Sequence, residues 1–114
     1  MLDFLHNRTR ECERAGISKN RICIDPGFGF GKTLAHNISM FHNIEKFQAE
    51  LGLPLLAGVS RKSMIGEITG KTIERRLAGS VAGALAAIAH GAKMVRVHDV
   101  AETVDAIKVW QSLN

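Results

Sequence analysis

The sequence predicts an α/β fold with a small parallel sheet, and three observations support this. Three short apolar runs alternate with longer segments in which apolar residues recur every three or four positions, as on one face of a helix. The runs begin about 33 and 39 residues apart, a spacing typical of strands joined by crossover helices. Each run also ends in polar residues, and ligands of parallel α/β folds bind at such strand ends.

The individual elements follow from the same pattern. Residues 2–15, 36–51 and 72–90 carry apolar residues at helical spacing, and each of these segments is followed by a glycine that can end a helix. Thr72 is a suitable N-cap for the third of them. The predicted strands are residues 21–25, 54–60 and 93–100, the last predicted helix is residues 101–113, and residues 61–71 have no predicted element.

Two architectures fit three successive strand–helix units. One is a small open α/β sheet, and the other is the last part of a (β/α)8 barrel. A complete barrel takes about 250 residues, so this chain of 114 residues would supply less than half of one.

Composition limits the class of protein. The chain is 46% hydrophobic and 23% charged, which is ordinary for one globular domain or part of one. No apolar stretch approaches the roughly 20 residues of a membrane span, and residues 1–10 lack a signal-peptide pattern. We therefore expect a cytoplasmic protein without membrane contact. Cys12 and Cys23 form no disulfide framework or C-x-x-C motif, and Cys23, inside an apolar run, is expected to be a buried, inert thiol.

The net charge of +4 is compatible with anionic ligands. Three arginines of the first predicted helix, Arg8, Arg10 and Arg14, are not interleaved with aromatic residues, so they do not form the pattern typical of nucleic-acid binding. We expect no nucleic-acid partner.

The last predicted strand carries Arg96 and His98 on one face, because residues two apart in a strand point the same way. An arginine in a covered strand needs a partner. It can form an ion pair with an acid on a neighbouring strand, or it can bind an anion together with His98, since a guanidinium matches phosphate oxygens. The other polar residues at the predicted strand ends are Asp25, Ser60, Arg61 and Lys62.

The glycine-rich loop "GFGFGK", residues 27–32, matches no common nucleotide-binding pattern. Pro26 stands where a Walker A loop needs its first glycine, and the glycine spacing differs from that of a Rossmann loop. We expect a mobile loop in which Phe28 and Phe30 either stack on a flat ligand or pack against neighbouring helices. Asp25, before the loop, suits a ligand with adjacent N–H donors, or else it caps a turn.

Three motifs together, "DPGFGFGK", "GVSRKSMIG" and "RVHDV", resemble the C-terminal part of bacterial dihydropteroate synthase, a pterin-binding enzyme family. The resemblance covers nearly the whole chain. It implies that residues 1–114 form the C-terminal portion of a pterin-binding TIM (β/α)8 barrel and supply strands six to eight. It also implies that the protein condenses 6-hydroxymethyl-7,8-dihydropterin diphosphate with p-aminobenzoate to give 7,8-dihydropteroate and pyrophosphate.

The resemblance also implies roles for single residues. Mg²⁺ is the implied cofactor, with its ligands mainly outside this chain. The implied pterin-binding residues are Asp25, Gly58, Lys62 and Arg96; those for the diphosphate are Arg96, Val97 and His98; those of the p-aminobenzoate pocket are Phe28, Phe30, Ser60, Arg61 and Lys62.

Two alternatives are a pterin-dependent methyltransferase barrel and a non-catalytic, self-associating chain. Because the barrel would be incomplete, we expect these 114 residues alone to be inactive. The first and last strands would present open edges, which recruit partners, so we expect a homodimer or a higher oligomer.

Overall fold

The sheet of the computed structural model, which describes residues 1–114, is small and parallel. Strand β1, Leu56–Ala57, pairs with strand β2, Met94–Val95. Ile24 adds one parallel bridge to Leu55, in which its N–H donates to the Pro54 carbonyl at 2.9 Å. The three predicted strands therefore lie side by side in chain order, as consecutive strand–helix units would.

The strands are much shorter than predicted, and the first is reduced to a single bridge. A 3₁₀ turn over Lys19–Arg21 occupies the start of the predicted first strand. Pro26, directly after Asp25, has no N–H with which to continue a ladder. Residues 22–25, between the 3₁₀ turn and Pro26, also have a sheet partner on one side only, so few backbone hydrogen bonds to a neighbouring strand can form.

Six α-helices accompany this sheet. The first and last agree with the prediction to within about one residue. In chain order the helices are α1 Leu2–Arg14, α2 Leu34–His42, α3 Ile44–Leu51, α4 Ser63–Thr69, α5 Leu77–Ala89 and α6 Val100–Leu113.

The predicted helix 36–51 is divided into α2 and α3 at Asn43, whose backbone leaves the helical region at φ −108° and ψ 9°. The Asn43 side chain donates to the Ser39 carbonyl at 2.8 Å, a local bond that competes with the helical ladder. The apolar spacing did not reveal the break because Ile44, Phe47 and Leu51 continue the same buried face.

The region from residue 61 to residue 77 also departs from the prediction. Helix α4 was missed, although Met64 and Ile65 are buried and Gly70, with φ 73°, ends the helix. The predicted helix starting at Thr72 is a 3₁₀ turn over Ile73–Arg75 followed by α5. Helix α4, a 3₁₀ turn and α5 thus replace what the pattern presented as a loop and one long helix.

The two faces of the sheet differ in their covering. Alternate residues of a strand point to opposite faces. One face carries Ile24, Leu55, Ala57 and Val59, which lie in the main core with residues of the helices. On the other face no layer of helices covers the strands.

Cys23 lies on this uncovered face, and the prediction that it is buried is wrong, since the thiol is exposed. It shares its side of the strand with Asp25, whereas Ile24 points into the core. No helix is both long enough and apolar enough to cross a membrane.

Candidate active site

A cleft of about 280 Å³ opens at the carboxyl ends of β1 and β2, on the uncovered face of the sheet. It lies where the sequence predicted a site from the polar residues at the strand ends. All of its lining residues were among the predicted site residues: Gly58, Ser60, Lys62, Arg96, Val97 and His98.

Asp25 joins this cleft through Arg96. Arg96 Nη1 lies 3.3 Å from Asp25 Oδ2, and the two side chains are 56% and 33% exposed. The second carboxylate oxygen of Asp25 accepts the Gly27 N–H at 2.9 Å. Both non-ligand roles anticipated from the sequence, the ion pair and the turn cap, are therefore present. Because exposed ion pairs contribute only about 0–1 kcal/mol, the Arg96 guanidinium is weakly held.

Gly58 allows Arg96 to cross β1 closely. A Cβ atom on Gly58 would lie 2.7 Å from Arg96 Nη2 and 3.1 Å from Cζ, so any larger residue would displace the guanidinium. Gly58 directly follows β1, and glycine permits such a close approach because it has no side chain. The guanidinium is thereby kept over the strand end.

Lys62 connects the end of β1 to the glycine-rich loop. Its Nζ donates to the Phe28 carbonyl at 2.6 Å and lies 4.8 Å from the centroid of the Phe30 ring. Burial of the ammonium lowers the pKa of Lys62 below its ordinary value, and the positive charge of Arg96 adds to this, while Asp25 partly opposes it. Lys62 therefore presents a partly desolvated cation between the loop and the cleft.

The two loop phenylalanines lie in different environments. Phe28 is fully buried, and its ring packs against Phe41 with 4.8 Å between centroids. Phe30 is 68% exposed. Of the two alternatives predicted for these rings, Phe28 therefore shows the packing one, since its ring lies against α2 and only its carbonyl reaches the cleft, through Lys62. The left-handed glycines on either side of Phe28 turn alternate side chains of the loop to opposite sides.

Two residues that the sequence analysis overlooked hold the loop in shape. The buried side chain of Asn37, on α2, accepts the Gly29 N–H through Oδ1 at 2.8 Å. Lys32 Nζ donates to the carbonyls of Gly27 and Phe30, at 2.9 and 3.2 Å. Asn37 stands on the core side of its helix, and this polar residue among apolar neighbours was the available signal.

Arg61 lies beside the cleft but is directed away from it. Its guanidinium binds both carboxylate oxygens of Asp99, at 2.8 and 3.3 Å. The backbone N–H of Arg61 donates to Ser80 Oγ at 2.8 Å, and its carbonyl accepts from Arg76 at 2.9 Å. The hydrogen bond to Asp99 raises the pKa of Arg61. These contacts hold Arg61 in a left-handed conformation, φ 58°, which is unfavourable for a residue with a side chain.

Ser60 and His98 form a direct contact across the two strand ends. The His98 backbone N–H donates to Ser60 Oγ at 3.2 Å, and the ring nitrogen Nδ1 lies 2.9 Å from the same oxygen. Ser60 is buried, with 6% of its surface exposed. The His98 ring is therefore tied to β1 by one hydroxyl.

The residues of this chain do not fit a magnesium site by themselves. No three His, Cys, Asp or Glu side chains lie together in an arrangement that could hold a metal ion. Mg²⁺ requires several oxygen ligands in octahedral geometry. The carboxylate nearest the cleft, Asp25, is engaged by Arg96 and Gly27.

A second, larger cavity of about 360 Å³ lies on the outer side, between α2, α4 and α5. Its walls are mainly apolar and include Ile38, Met64 and Ile65, and it holds no lysine, arginine or carboxylate. The strand-end cleft, where charged groups converge, is therefore the candidate active site.

Comparison with known proteins gives a consistent result. A sequence profile described as "Pterin binding enzyme" matches residues 1–98. Dihydropteroate synthase of Neisseria meningitidis serogroup C is 59% identical over 111 residues, which are 96% of this chain and 39% of that protein. Two structures of Xanthomonas albilineans dihydropteroate synthase, with 7,8-dihydropteroate and with 4-aminobenzoic acid, are 52% identical and have TM-scores of 0.93. They match 98% of this chain and 43% and 41% of their own. The chain thus spans about two fifths of the length of these relatives.

Proposed function

The chain belongs to the pterin binding enzyme family, and we propose that it forms part of a dihydropteroate synthase. The reaction joins 6-hydroxymethyl-7,8-dihydropterin diphosphate to p-aminobenzoate and releases pyrophosphate. The observation that carries the proposal is the strand-end cleft, where Lys62, Arg96 and His98 converge beside Asp25. This set offers a carboxylate for a heterocycle edge and cationic or N–H donors for a diphosphate.

We propose that residues 1–114 are the C-terminal portion of a (β/α)8 barrel and supply its strands six to eight. Three features support this assignment. The strand segments are parallel and in chain order. Helices cover one face of the sheet only, as in a barrel wall. The related proteins are more than twice as long as this chain.

The pterin is proposed to bind between Asp25 and Arg96. The carboxylate of Asp25 can accept a pair of N–H bonds from the amino-pyrimidinone edge, in place of its weak contacts with Arg96 and Gly27. The planar Arg96 guanidinium, held above Gly58, can stack on the flat ring system. Lys62 donates to the ring from the end of β1.

The diphosphate is proposed to bind at residues 96–98. Arg96 and His98 share the cleft with Val97 between them. A guanidinium and an imidazole N–H can bind phosphate oxygens directly. Their role is to stabilise the charge that develops on pyrophosphate as it leaves the pterin methylene.

The p-aminobenzoate pocket is proposed on the loop side of Lys62. Phe30 offers an exposed aromatic face, and Ser60 lines the cleft at the base of the pocket. Phe28 acts there through its carbonyl, and Arg61 acts by fixing the turn that carries Lys62. Lys62 thus stands at the junction of the two substrates.

The proposed chemistry is a substitution at carbon. The C–O bond to pyrophosphate breaks and takes its electron pair to the leaving group. The aniline nitrogen forms the new C–N bond and then loses a proton to solvent. No covalent nucleophile is required from the chain, whose contribution is charge stabilisation and the positioning of two partners. We propose that the ligands of the implied Mg²⁺ lie on parts of the barrel outside this chain.

A chimera tests the function directly. This chain, joined behind the N-terminal part of the Neisseria meningitidis relative, should form dihydropteroate and release pyrophosphate. In it, Arg96→Ala and His98→Ala should weaken pyrophosphate binding by at least roughly tenfold, because hydrogen bonds to charged groups are lost. Arg14→Ala, at an exposed position of α1, is the matched control and should be neutral. Unchanged pyrophosphate affinity in both cleft variants would reject the diphosphate assignment.

The two alternatives make different demands. A pterin-dependent methyltransferase would bind methyl-folate and would have little use for the cations at the cleft; the identities above favour the synthase. A non-catalytic self-associating chain would bind neither pterin compound. We propose that the 114 residues alone are inactive and self-associate through the uncovered sheet face, in a cytoplasmic setting. Light scattering beside a pyrophosphate-release assay tests this, and an active monomer would contradict it.

A further inference from the structure

We infer that Ser60 is a positioning residue that holds the His98 ring in the tautomer with its proton on Nε2. The inference concerns a hydroxyl that makes two contacts with one histidine. Ser60 Oγ lies 3.2 Å from the His98 backbone nitrogen and 2.9 Å from its ring Nδ1. It rests on the proposed function only for the identity of the anion that the ring then binds.

The tautomer follows from counting donors. The His98 backbone N–H can only donate, so Ser60 Oγ accepts that bond. The Ser60 hydroxyl hydrogen then needs an acceptor, because Ser60 is 6% exposed and buried polar groups are almost always bonded. The one remaining contact of this hydroxyl is His98 Nδ1. Nδ1 therefore accepts, and the ring proton resides on Nε2.

This arrangement directs a donor into the cleft. With Nδ1 turned to Ser60, Nε2–H is the ring group left for the space that His98 shares with Lys62 and Arg96. An anion offers only acceptors, so it binds an N–H and is repelled by the lone pair of a bare ring nitrogen. Ser60 thus ensures that all three side chains present donors to a bound diphosphate.

Nitrogen-15 NMR of the histidine rings tests the tautomer in the chimera described above, because the 114-residue chain alone is proposed to self-associate through the face that carries the cleft. The His98 signals are identified as those lost in His98→Gln. At a pH at which the rings are neutral, they should show Nδ1 as unprotonated and Nε2 as protonated. In Ser60→Ala both nitrogens should move towards values averaged between the two tautomers. Thr9→Ala is the matched control, since Thr9 is also buried but its hydroxyl donates to the Leu5 carbonyl within α1. A protonated Nδ1, or identical His98 signals in Ser60→Ala, overturns the inference.

Pyrophosphate titration of the same variants supplies a second readout. Ser60→Ala should weaken binding by roughly three- to tenfold, the range expected when one hydrogen bond loses its orientation. Ser60→Thr, which keeps the hydroxyl, should restore binding to within about twofold, and Thr9→Ala should match the unmodified chimera. Unchanged binding in Ser60→Ala overturns the inference. If the unmodified chimera binds no pyrophosphate while the tautomer still depends on Ser60, the proposed function fails and the role of Ser60 stands.

Discussion

The two turns that border the cleft are built in opposite ways. The turn after β1, residues 60–62, is held by hydrogen bonds of its central residue, Arg61. The Arg61 backbone N–H donates to Ser80 on α5, its carbonyl accepts from Arg76, and its guanidinium binds Asp99. The loop after Asp25, residues 26–33, contains three left-handed glycines and exposes Phe30. It is tied by Asn37 and by two lysines.

This difference suggests a division of labour. The first turn fixes the positions of Ser60 and Lys62, and its left-handed Arg61 is maintained only because its neighbours determine it. The glycine-rich loop keeps conformational freedom, and its contact with the cleft depends on Lys62, the residue proposed to bind both substrates. Lys62 therefore belongs to both regions, and its replacement should have the largest effect.

Lys62→Ala should reduce the use of both substrates in the active chimera. The ammonium binds the Phe28 carbonyl and faces Phe30 in the loop while it lines the cleft. Loss of a charged hydrogen bond costs roughly 1.5–3 kcal/mol, which corresponds to roughly 10- to 150-fold in kcat/KM. Steady-state kinetics with each substrate varied in turn measures it. Lys71→Ala, at an exposed position beyond α4, serves as control, and kinetics within twofold of the control would refute the assignment.

Asn37→Ala should loosen the glycine-rich loop without disturbing the other turn. It leaves the partly buried Gly29 N–H without its protein partner, and loss of one such hydrogen bond costs roughly 0.5–1.5 kcal/mol. Amide hydrogen exchange should therefore accelerate in residues 27–31 and stay constant in residues 60–62. Asn43→Ala, which removes an amide that bonds only within α2, is the matched control. Equal acceleration in both turns would mean that they are not independent.

The location of the strand-end cleft could be predicted from the sequence because it depends on strand polarity and side-chain alternation. The apolar runs identified the strand ends, and parity placed Arg96 and His98 on one face, where the structure also has them. These inferences need only local periodicity, which survives even though the strands are shorter than expected.

The partners of single side chains could not be predicted, because they depend on how separate elements pack. Phe28 and Phe30 have the same local sequence context, yet one is buried against Phe41 and the other is exposed. Arg61 was expected in the cleft, but Asp99, far along the chain, draws its guanidinium away. Helix α4 was missed because its seven residues are too few to give a clear period.

Two substitutions of Arg61 should separate backbone strain from the ion pair. Arg61→Ala and Arg61→Gly both remove the bonds to Asp99, but only glycine adopts the left-handed φ of 58° without cost. Arg61→Gly should therefore be the more stable of the two, by about 1 kcal/mol in the free energy of unfolding. Urea denaturation of both variants measures the difference. If Arg61→Ala is equally stable, the turn relaxes and is not held in a strained conformation.

The smallest expected effect is on the titration of Lys62, and it measures how closely the turn and the cleft are coupled. Burial lowers the pKa of Lys62 first, and the nearby charge of Arg96 lowers it further. Arg96→Ala removes that positive charge, which favours the protonated amine, so the pKa of Lys62 should rise towards its ordinary value. The lowered pKa of Lys62 also predicts how stability depends on pH. Because the amine of Lys62 binds a proton more tightly in the unfolded chain, the free energy of unfolding should increase as pH rises from the lowered pKa to the ordinary one. Carbon-13 titration of the lysine side chains in the two proteins measures the shift, with Lys71 as the internal reference. A pKa of Lys62 that falls in Arg96→Ala would show that loss of the arginine buries the lysine further, and that the guanidinium acts on Lys62 by packing more than by charge.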